Sequence, residues 1–271
     1  MKAEMQAPGV LSAILADTRA RLAARAAERA EWERLAARAQ PATAFGPALD
    51  GPTVAVIGEV KRRSPSAGAI REDADLVALA RRYAEAGAAA ISVLTEPSRF
   101  GGSLEDLMHV AREVGLPTLR KDFIIDPIQV YEARAVGASA ILLIVRALTT
   151  ERLHELSGLA RAIGLGTLVE VHTAAELDAA VTIGPTAIGV NARDLESLAV
   201  DAGAAELVLR SVPPGAIAVA ESGLRGRADV ERVAAAGADA VLVGTAVAGA
   251  ADPAAATRAL GGIARRGRRW I

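Results

Sequence analysis

A unit of about fifty residues recurs through this chain, and self-similarity of that period narrows the possible folds more than any other feature. Ala84-Glu-Ala-Gly87-Ala-Ala-Ala-Ile-Ser-Val-Leu94 is matched by Ala133-Arg-Ala-Val-Gly137-Ala-Ser-Ala-Ile-Leu-Leu-Ile144 and by Ala234-Ala-Ala-Gly237-Ala-Asp-Ala-Val-Leu-Val243. Val181-Thr-Ile-Gly184-Pro-Thr-Ala-Ile-Gly-Val190 is a looser copy. Each copy reads as the end of a helix, a Gly suited to the left-handed position that stops it, and a short apolar run. Between the copies lie further short runs at 54–57, 118–119, 167–169 and 217–220. That makes eight strands, each followed by a helical segment. The runs are continuously apolar rather than alternating, as strands buried on both faces of a parallel sheet must be. Eight such units predict a (β/α)8 TIM barrel, not an open doubly wound sheet. No Gly-x-Gly-x-x-Gly follows the first run, which argues against a dinucleotide fold.

The barrel is expected over residues 53–271, with residues 1–52 as an N-terminal helical extension and linker. Residues 9–39 are rich in the helix formers Ala, Leu, Arg and Glu. Leu11, Ile14, Leu15 and Leu22 give them a partial apolar stripe, and Trp32 and Leu35 are expected to make a second contact. Residues 41–52 read as a turn-rich linker. Hydrophobic residues make up 52% of the chain but aromatics only 3%, so the core must be built from Ala, Val, Leu and Ile. The absence of cysteine excludes disulfides, thiolate catalysis and Cys-ligated metals. A net charge of −1 gives no general attraction to nucleic acid or to an anionic membrane. No apolar h-region follows Met1-Lys2-Ala3-Glu4, and no run reaches the roughly 18 residues of a membrane span. A soluble cytoplasmic protein, monomeric, is expected.

In such barrels the chemistry sits at the C-terminal ends of the strands. Reading those ends places Glu59 and Lys61 after the first run, Lys121 after the third, Glu170 and His172 after the fifth, Asn191 and Arg193 after the sixth, and Glu221 after the seventh. A surface ion pair is the ordinary meaning of an isolated Glu-x-Lys. Three carboxylates and three cations converging on one mouth instead form a set of proton donors and acceptors able to shift one another's pKa. Ser222-Gly223 and Gly244-Thr245 follow the last two strands, where barrels commonly bind phosphate, and residues 244–249 read as the short extra helix. His109 and His154 fall in helical segments as surface residues. His172 lacks carboxylates at ligand spacing, so no metal site is expected. Arg265-Arg266-Gly267-Arg268-Arg269 reads as a solvated basic end.

With these residues in place the chain resembles the indole-3-glycerol phosphate synthase family over nearly its whole length. The matching motifs are Glu59-Val-Lys61-Arg-Arg-Ser64-Pro65-Ser66, Leu119-Arg120-Lys121-Asp122-Phe123, Leu168-Val-Glu170-Val-His172, Val190-Asn191-Ala192-Arg193-Asp194-Leu195 and Glu221-Ser222-Gly223. Ala67 departs from the Lys that often follows Ser-Pro-Ser in the family, and Ala192 from a polar residue. The resemblance implies a small phosphorylated substrate, 1-(2-carboxyphenylamino)-1-deoxyribulose 5-phosphate, and ring closure with loss of carbon dioxide and water. It implies Lys121 as general acid, Lys61 and Glu170 as the acid–base pair of dehydration, and Glu59 as an orienting carboxylate. Asn191, Arg193 and Glu221 would hold the substrate and tune its charges. Phe100 and Phe123 would flank the anthranilate ring. Ser222, Gly223, Gly244 and Thr245 would take the phosphate, and Ser64-Pro65-Ser66 would form a mobile lid. No metal or organic cofactor is implied. Two other readings of the same residues are a Schiff-base aldolase built on Lys121 and a barrel that binds a sugar phosphate without catalysis.

Overall fold

The computed structural model describes residues 9–66, 68–70 and 73–267. Ala67 and the basic residues Arg268 and Arg269 therefore lie outside the described residues. The chain opens with α1 (Val10–Ala24), a single 3-10 turn, α2 (Arg29–Arg38) and α3 (Phe45–Leu49). The barrel then begins with β1 (Ala55–Val60), α4 (Leu76–Glu85), β2 (Ala90–Leu94), α5 (Pro97–Phe100) and α6 (Leu104–Val114). It continues through β3 (Thr118–Lys121), α7 (Pro127–Ala135), β4 (Ala140–Ile144), α8 (Thr150–Ala162), β5 (Gly166–Val171) and α9 (Ala174–Thr182). The last part is β6 (Ala187–Asn191), α10 (Ala202–Ser211), β7 (Ile217–Glu221), α11 (Arg227–Ala235), β8 (Ala240–Val243), α12 (Thr245–Ala248) and α13 (Pro253–Leu260).

All eight barrel strands pair in parallel and in chain order, and β1 closes the ring between β2 and β8. The four repeat glycines, Gly87, Gly137, Gly184 and Gly237, all have positive φ, as the helix-stop reading requires. Alternation along each strand divides the core in two. Outward residues such as Val56, Ile91, Ile141, Val169, Ile188 and Val241 pack beneath the helices. Inward residues fill the barrel, in layers of four drawn from alternate strands. At one end the even strands supply Ala90, Ala140, Ala187 and Ala240, all completely buried. Above them the odd strands supply Ile57, Leu119, Leu168 and Val219. Two residues further along, those same odd strands present Glu59, Lys121, Glu170 and Glu221. Apart from the buried Ser92 on β2, the barrel is thus apolar through its depth and turns ionic at one layer.

The two ends of the chain depart from expectation in three places. The linker at 41–52 contains α3, whose Phe45 and Leu49 are buried against the alanine layer and close the barrel floor. The small alanine side chains leave room for that plug. Helix α2 packs on α7 through buried Ala36, with Trp32 only half-buried and Leu35 exposed, so the second contact uses a different face. At the basic C-terminal end Arg265 is tied down, pairing with Asp239 and Asp50, while Arg266 is exposed. By contrast Leu11, Ile14 and Leu15 are buried as expected, and they cover the opposite, ionic end of the barrel.

Candidate active site

A cavity of about 720 Å³ opens at the C-terminal ends of the strands. All fifteen residues singled out from the sequence line it: Glu59, Lys61, Ser64, Ser66, Phe100, Lys121, Phe123, Glu170, Asn191, Arg193, Glu221, Ser222, Gly223, Gly244 and Thr245. The strand parities explain the meeting. Lys121 is the next inward residue after Leu119, Glu170 after Leu168, Glu221 after Val219 and Glu59 after Ile57, so four odd strands deliver four charges to one height.

Lys121 Nζ lies 3.0 Å from Glu170 Oε2 and 3.3 Å from Glu221 Oε2. Burial disfavours its charge, but Glu170, Glu221 and Glu59 outweigh that and raise its pKa above the ordinary lysine value. The two carboxyls are driven apart. Burial pushes Glu221 up to about 8, aided by repulsion from Glu170 and Glu59 against the attraction of Lys121. For Glu170 burial acts upward too, but Lys121, His172 and the Asn191 amide more than offset it, and its pKa is lowered. One carboxyl thus holds a proton near neutrality while its neighbour stays ionised, the arrangement that separates acid from base roles. Lys61 Nζ pairs with Glu59 Oε1 at 2.6 Å on the adjacent wall.

The even strands leave space for this layer. A Cβ on Gly189 would collide with Glu221 Oε1, and one on Gly244 with Glu59 Oε1. The loops add shape. After β7, Ser222 has φ 64° and Gly223 φ 71°; Ser222 and Leu198 are the only non-glycine residues with positive φ among those described, and both face the cavity. A left-handed serine costs of order 1 kcal/mol or more, a strain that clusters at functional sites. After β8, Gly244 leads into α12 at Thr245, and a separate helix begins at Pro253, as expected. On the other side Phe100 and Phe123 stand with ring centroids 6.4 Å apart. Phe123 is held by the β3–α7 turn: Asp122 accepts from its N–H at 2.8 Å and Gln129 donates to its carbonyl at 3.0 Å. Gln129 also closes a capping box with Asp126 at the start of α7. Phe100 rides on α5, whose first N–H groups are capped by the fully buried Glu96. The Ser64-Pro65-Ser66 turn forms the tip of a two-stranded hairpin, tethered at its base by Arg62, whose guanidinium grips Asp106 at 2.7 and 2.8 Å.

The sequence did not assign Val10, Leu11 and Ile14 to the cavity, although they form its roof. The signal was present, since Leu11, Ile14 and Leu15 fall at helical spacing, but a stripe does not say what it covers. Helix α1 is fixed there by Arg21 to Glu96 at 3.4 Å and by Ser12 to Glu196 at 3.2 Å. Arg146, at the end of β4, turns away from the cavity to pair with Glu176 and Asp194. His109 and His154 are exposed on helices. Among the described residues no cluster of potential metal ligands occurs, and no helix is long and apolar enough to cross a membrane.

Among solved structures the barrel is similar to 3-hexulose-6-phosphate synthase from Salmonella typhimurium, with a TM-score of 0.63 at 16% identity, covering 76% of this chain and 96% of that one. It is also similar to thiamine phosphate pyrophosphorylase from Pyrococcus furiosus, with a TM-score of 0.56 at 21% identity, covering 76% and 93%. At those identities the likeness is one of fold. Sequence relatives are much nearer. The indole-3-glycerol phosphate synthase of Mycobacteroides abscessus is 47% identical over 251 residues, 92% of each chain. That of Mycobacterium tuberculosis strain H37Ra is 47% identical over 249 residues, 91% of this chain and 92% of the other. The family model described as indole-3-glycerol phosphate synthase matches residues 11–260. A barrel whose charged layer opens beneath an apolar roof, and which shares nearly half its residues with those relatives, belongs to the indole-3-glycerol phosphate synthase family.

Proposed function

We propose that this enzyme closes the indole ring of 1-(2-carboxyphenylamino)-1-deoxyribulose 5-phosphate, releasing carbon dioxide and water to give indole-3-glycerol phosphate. The observation that carries this reading is the position of Lys121, a buried ammonium held between Glu170 and Glu221 within the cavity. Lys121 gives its proton to the substrate ketone as the carboxyl-bearing ring carbon attacks. Carbon dioxide then leaves, and its bonding electrons return to the ring. Lys61 protonates the departing hydroxyl, Glu170 removes the ring proton, and Glu59 holds Lys61 in line. Ser222, Gly223, Gly244 and Thr245 bind the phosphate, Ser64 and Ser66 border it, and Arg193 and Asn191 hold the middle of the substrate. Phe100 and Phe123 take the aromatic ring, and Leu11 and Ile14 exclude water above it. Fixing the two reacting ends in contact supplies several kcal/mol on the order of that seen in intramolecular reactions.

A Schiff-base aldolase would need Lys121 as a neutral amine, and the carboxylates around it push its pKa the other way. Three carboxylates also make a poor receptor for an anion that is only to be bound. Indole fluorescence developing when the purified chain meets the substrate is the expected result. A borohydride-trapped ketose phosphate on Lys121, with no indole formed, would overturn it. The same reading has the enzyme working in the cytoplasm as a monomer, and sedimentation at the mass of one chain, 27.8 kDa, is expected.

A further inference from the structure

The aromatic wall at Phe100 is carried by a segment with little stability of its own. Helix α5 has only four residues, Pro97 to Phe100, and a single helical turn does not hold its shape unaided. What holds it is Glu96. Its side chain is completely buried, yet it does not line the cavity. Oε1 accepts the Ser98 N–H at 3.0 Å, and Oε2 accepts those of Arg99 at 2.6 Å and Phe100 at 3.2 Å. The Glu96 carbonyl takes the Gly102 N–H at 3.0 Å, which closes the far side of the turn. A fourth donor to the carboxylate comes from the roof: Arg21 of α1 lies 3.4 Å from Oε1. Arg21 is itself steadied by Thr18 Oγ1 at 3.1 Å and Ser98 Oγ at 3.3 Å. Those four donors take up the roughly four lone-pair sites of a carboxylate, so Glu96 has nothing left to offer a substrate. Helix caps are ordinarily Ser, Thr, Asp or Asn. Every other accepting side-chain cap among the described helices is Ser, Thr or Asp, and each takes one or two N–H groups. The longer arm of Glu96 reaches a third, and that third belongs to Phe100.

We propose that Glu96 is a positioning residue that sets Phe100 against the aromatic ring of the substrate and ties that wall to the roof. The inference rests on the proposed ring closure, in which Phe100 and Phe123 take the ring. Phe123 hangs on buried Asp122 by its own N–H in the same way, so a carboxylate stands behind each aromatic wall. Glu96 is in addition held from α1, which refers the roof residues Leu11 and Ile14 and the wall residue Phe100 to one side chain. A wall that touches the ring equally in the ground state and the transition state contributes uniform binding, which appears in KM and not in kcat. When α5 loosens, substrate binds only the fraction of molecules whose wall is in place, and the apparent affinity falls by that fraction.

The test is the steady-state rate of indole formation by the full chain and its Glu96 variants over a range of substrate concentration. Glu96→Gln keeps the size but offers one acceptor oxygen, and it turns an NH2 towards backbone donors. It is expected to raise KM by about three- to thirtyfold, the equilibrium weight of one lost helix cap, with kcat nearly unchanged. Glu96→Asp keeps the charge and both acceptors on an arm one carbon shorter, and its KM should fall between. A protein that is merely less stable gives the opposite pattern, a lower apparent kcat from fewer folded molecules at the wild-type KM. The decisive comparison adds Phe100→Ala. In that background Glu96→Gln and Glu96→Asp should leave KM where Phe100→Ala alone puts it, because the wall they place is gone. Circular dichroism reports folding, and if Glu96→Gln does not fold, Glu96→Asp carries the same comparison. A folded Glu96→Gln or Glu96→Asp with the wild-type KM overturns the inference, and so does an equal rise in KM with and without the Phe100 ring. A wild-type chain that forms no indole fails the reading of the reaction instead, so the two failures are distinct.

Discussion

Two buried ionic clusters stand back to back across β3, and they differ in kind. Arg120 and Lys121 are neighbours in sequence, yet pleating sends one outward under α7 and the other into the barrel. The outer cluster is balanced in charge, two guanidiniums against two carboxylates. Arg120 reaches Glu132 at 2.9 Å, Asp122 at 3.0 Å, Thr95 Oγ1 at 3.2 Å and the Gln129 carbonyl at 2.7 Å. Arg25, on the N-terminal segment, pairs with the other oxygen of Glu132 at 2.8 Å. The inner cluster sets three carboxyls, Glu59, Glu170 and Glu221, against only two ammoniums, Lys121 and Lys61. A charge-balanced network fixes geometry; one with a surplus carboxyl facing a cavity is poised to take protons and ligands. The outer cluster holds the strand end still so that the inner one can work.

If that contrast is right, the largest effect on stability lies on the outer side. Arg120→Ala leaves Asp122 without its cation and halves the pairing of Glu132, so urea denaturation should show a loss of about 3–5 kcal/mol. Lys121→Ala should cost less, since the mouth admits water and Glu221 already holds a proton. Next in size is a pH effect on the inner side. An unfolded glutamate ionises near the ordinary 4.5, whereas Glu221 keeps its proton to about 8. Between those values the folded chain binds the extra proton, so the contribution of Glu221 to stability is full below 4.5 and is lost as pH rises towards 8. Glu221→Gln should therefore be more stable than wild type at pH 8, on the order of 1–3 kcal/mol, and nearly equal to it at pH 5. A parallel pair of stability–pH curves would contradict the assignment. Gly189→Ala probes the space left for that carboxyl. Overpacking should cost about 1–3 kcal/mol and lower turnover as Glu221 is driven against Lys121. The mildest effect is on binding: inorganic phosphate should raise KM without changing kcat if Ser222-Gly223 and Gly244-Thr245 hold the substrate phosphate.

The barrel was legible because its grammar is local. A helix stop on Gly and a doubly buried apolar run are each written in a dozen residues, and four near-copies fixed the period. Every residue given a role at the mouth lines it, because strand ends and parity can be counted; His172, read at a strand end beside them, lies behind. Which charges pair with which could not be counted. That Lys121 joins Glu170 and Glu221 while Lys61 stays with Glu59 depends on stagger between strands that are not sequence neighbours. The N-terminal segment was least legible for a related reason. Phe45 and Leu49 could be read only as linker residues until the alanine layer existed for them to plug. Leu35 looked like a contact residue, but smaller Ala36 lets α2 approach α7 more closely. Arg265 read as part of a free end because nothing local shows Asp239 and Asp50 waiting for it. His172 was visible at its strand end, yet its place between Glu170 and Glu176 is one that only the fold creates.

The central claim is that the ammonium of Lys121 drives ring closure. Following indole fluorescence for wild type, Lys121→Ala and Arg120→Ala under identical conditions tests it most directly. Lys121→Ala is expected to remain folded and to lose at least about a hundredfold in ring-forming rate, the low end for removing a general acid, while folded Arg120→Ala loses mainly stability. A folded Lys121→Ala enzyme with near wild-type turnover would contradict it.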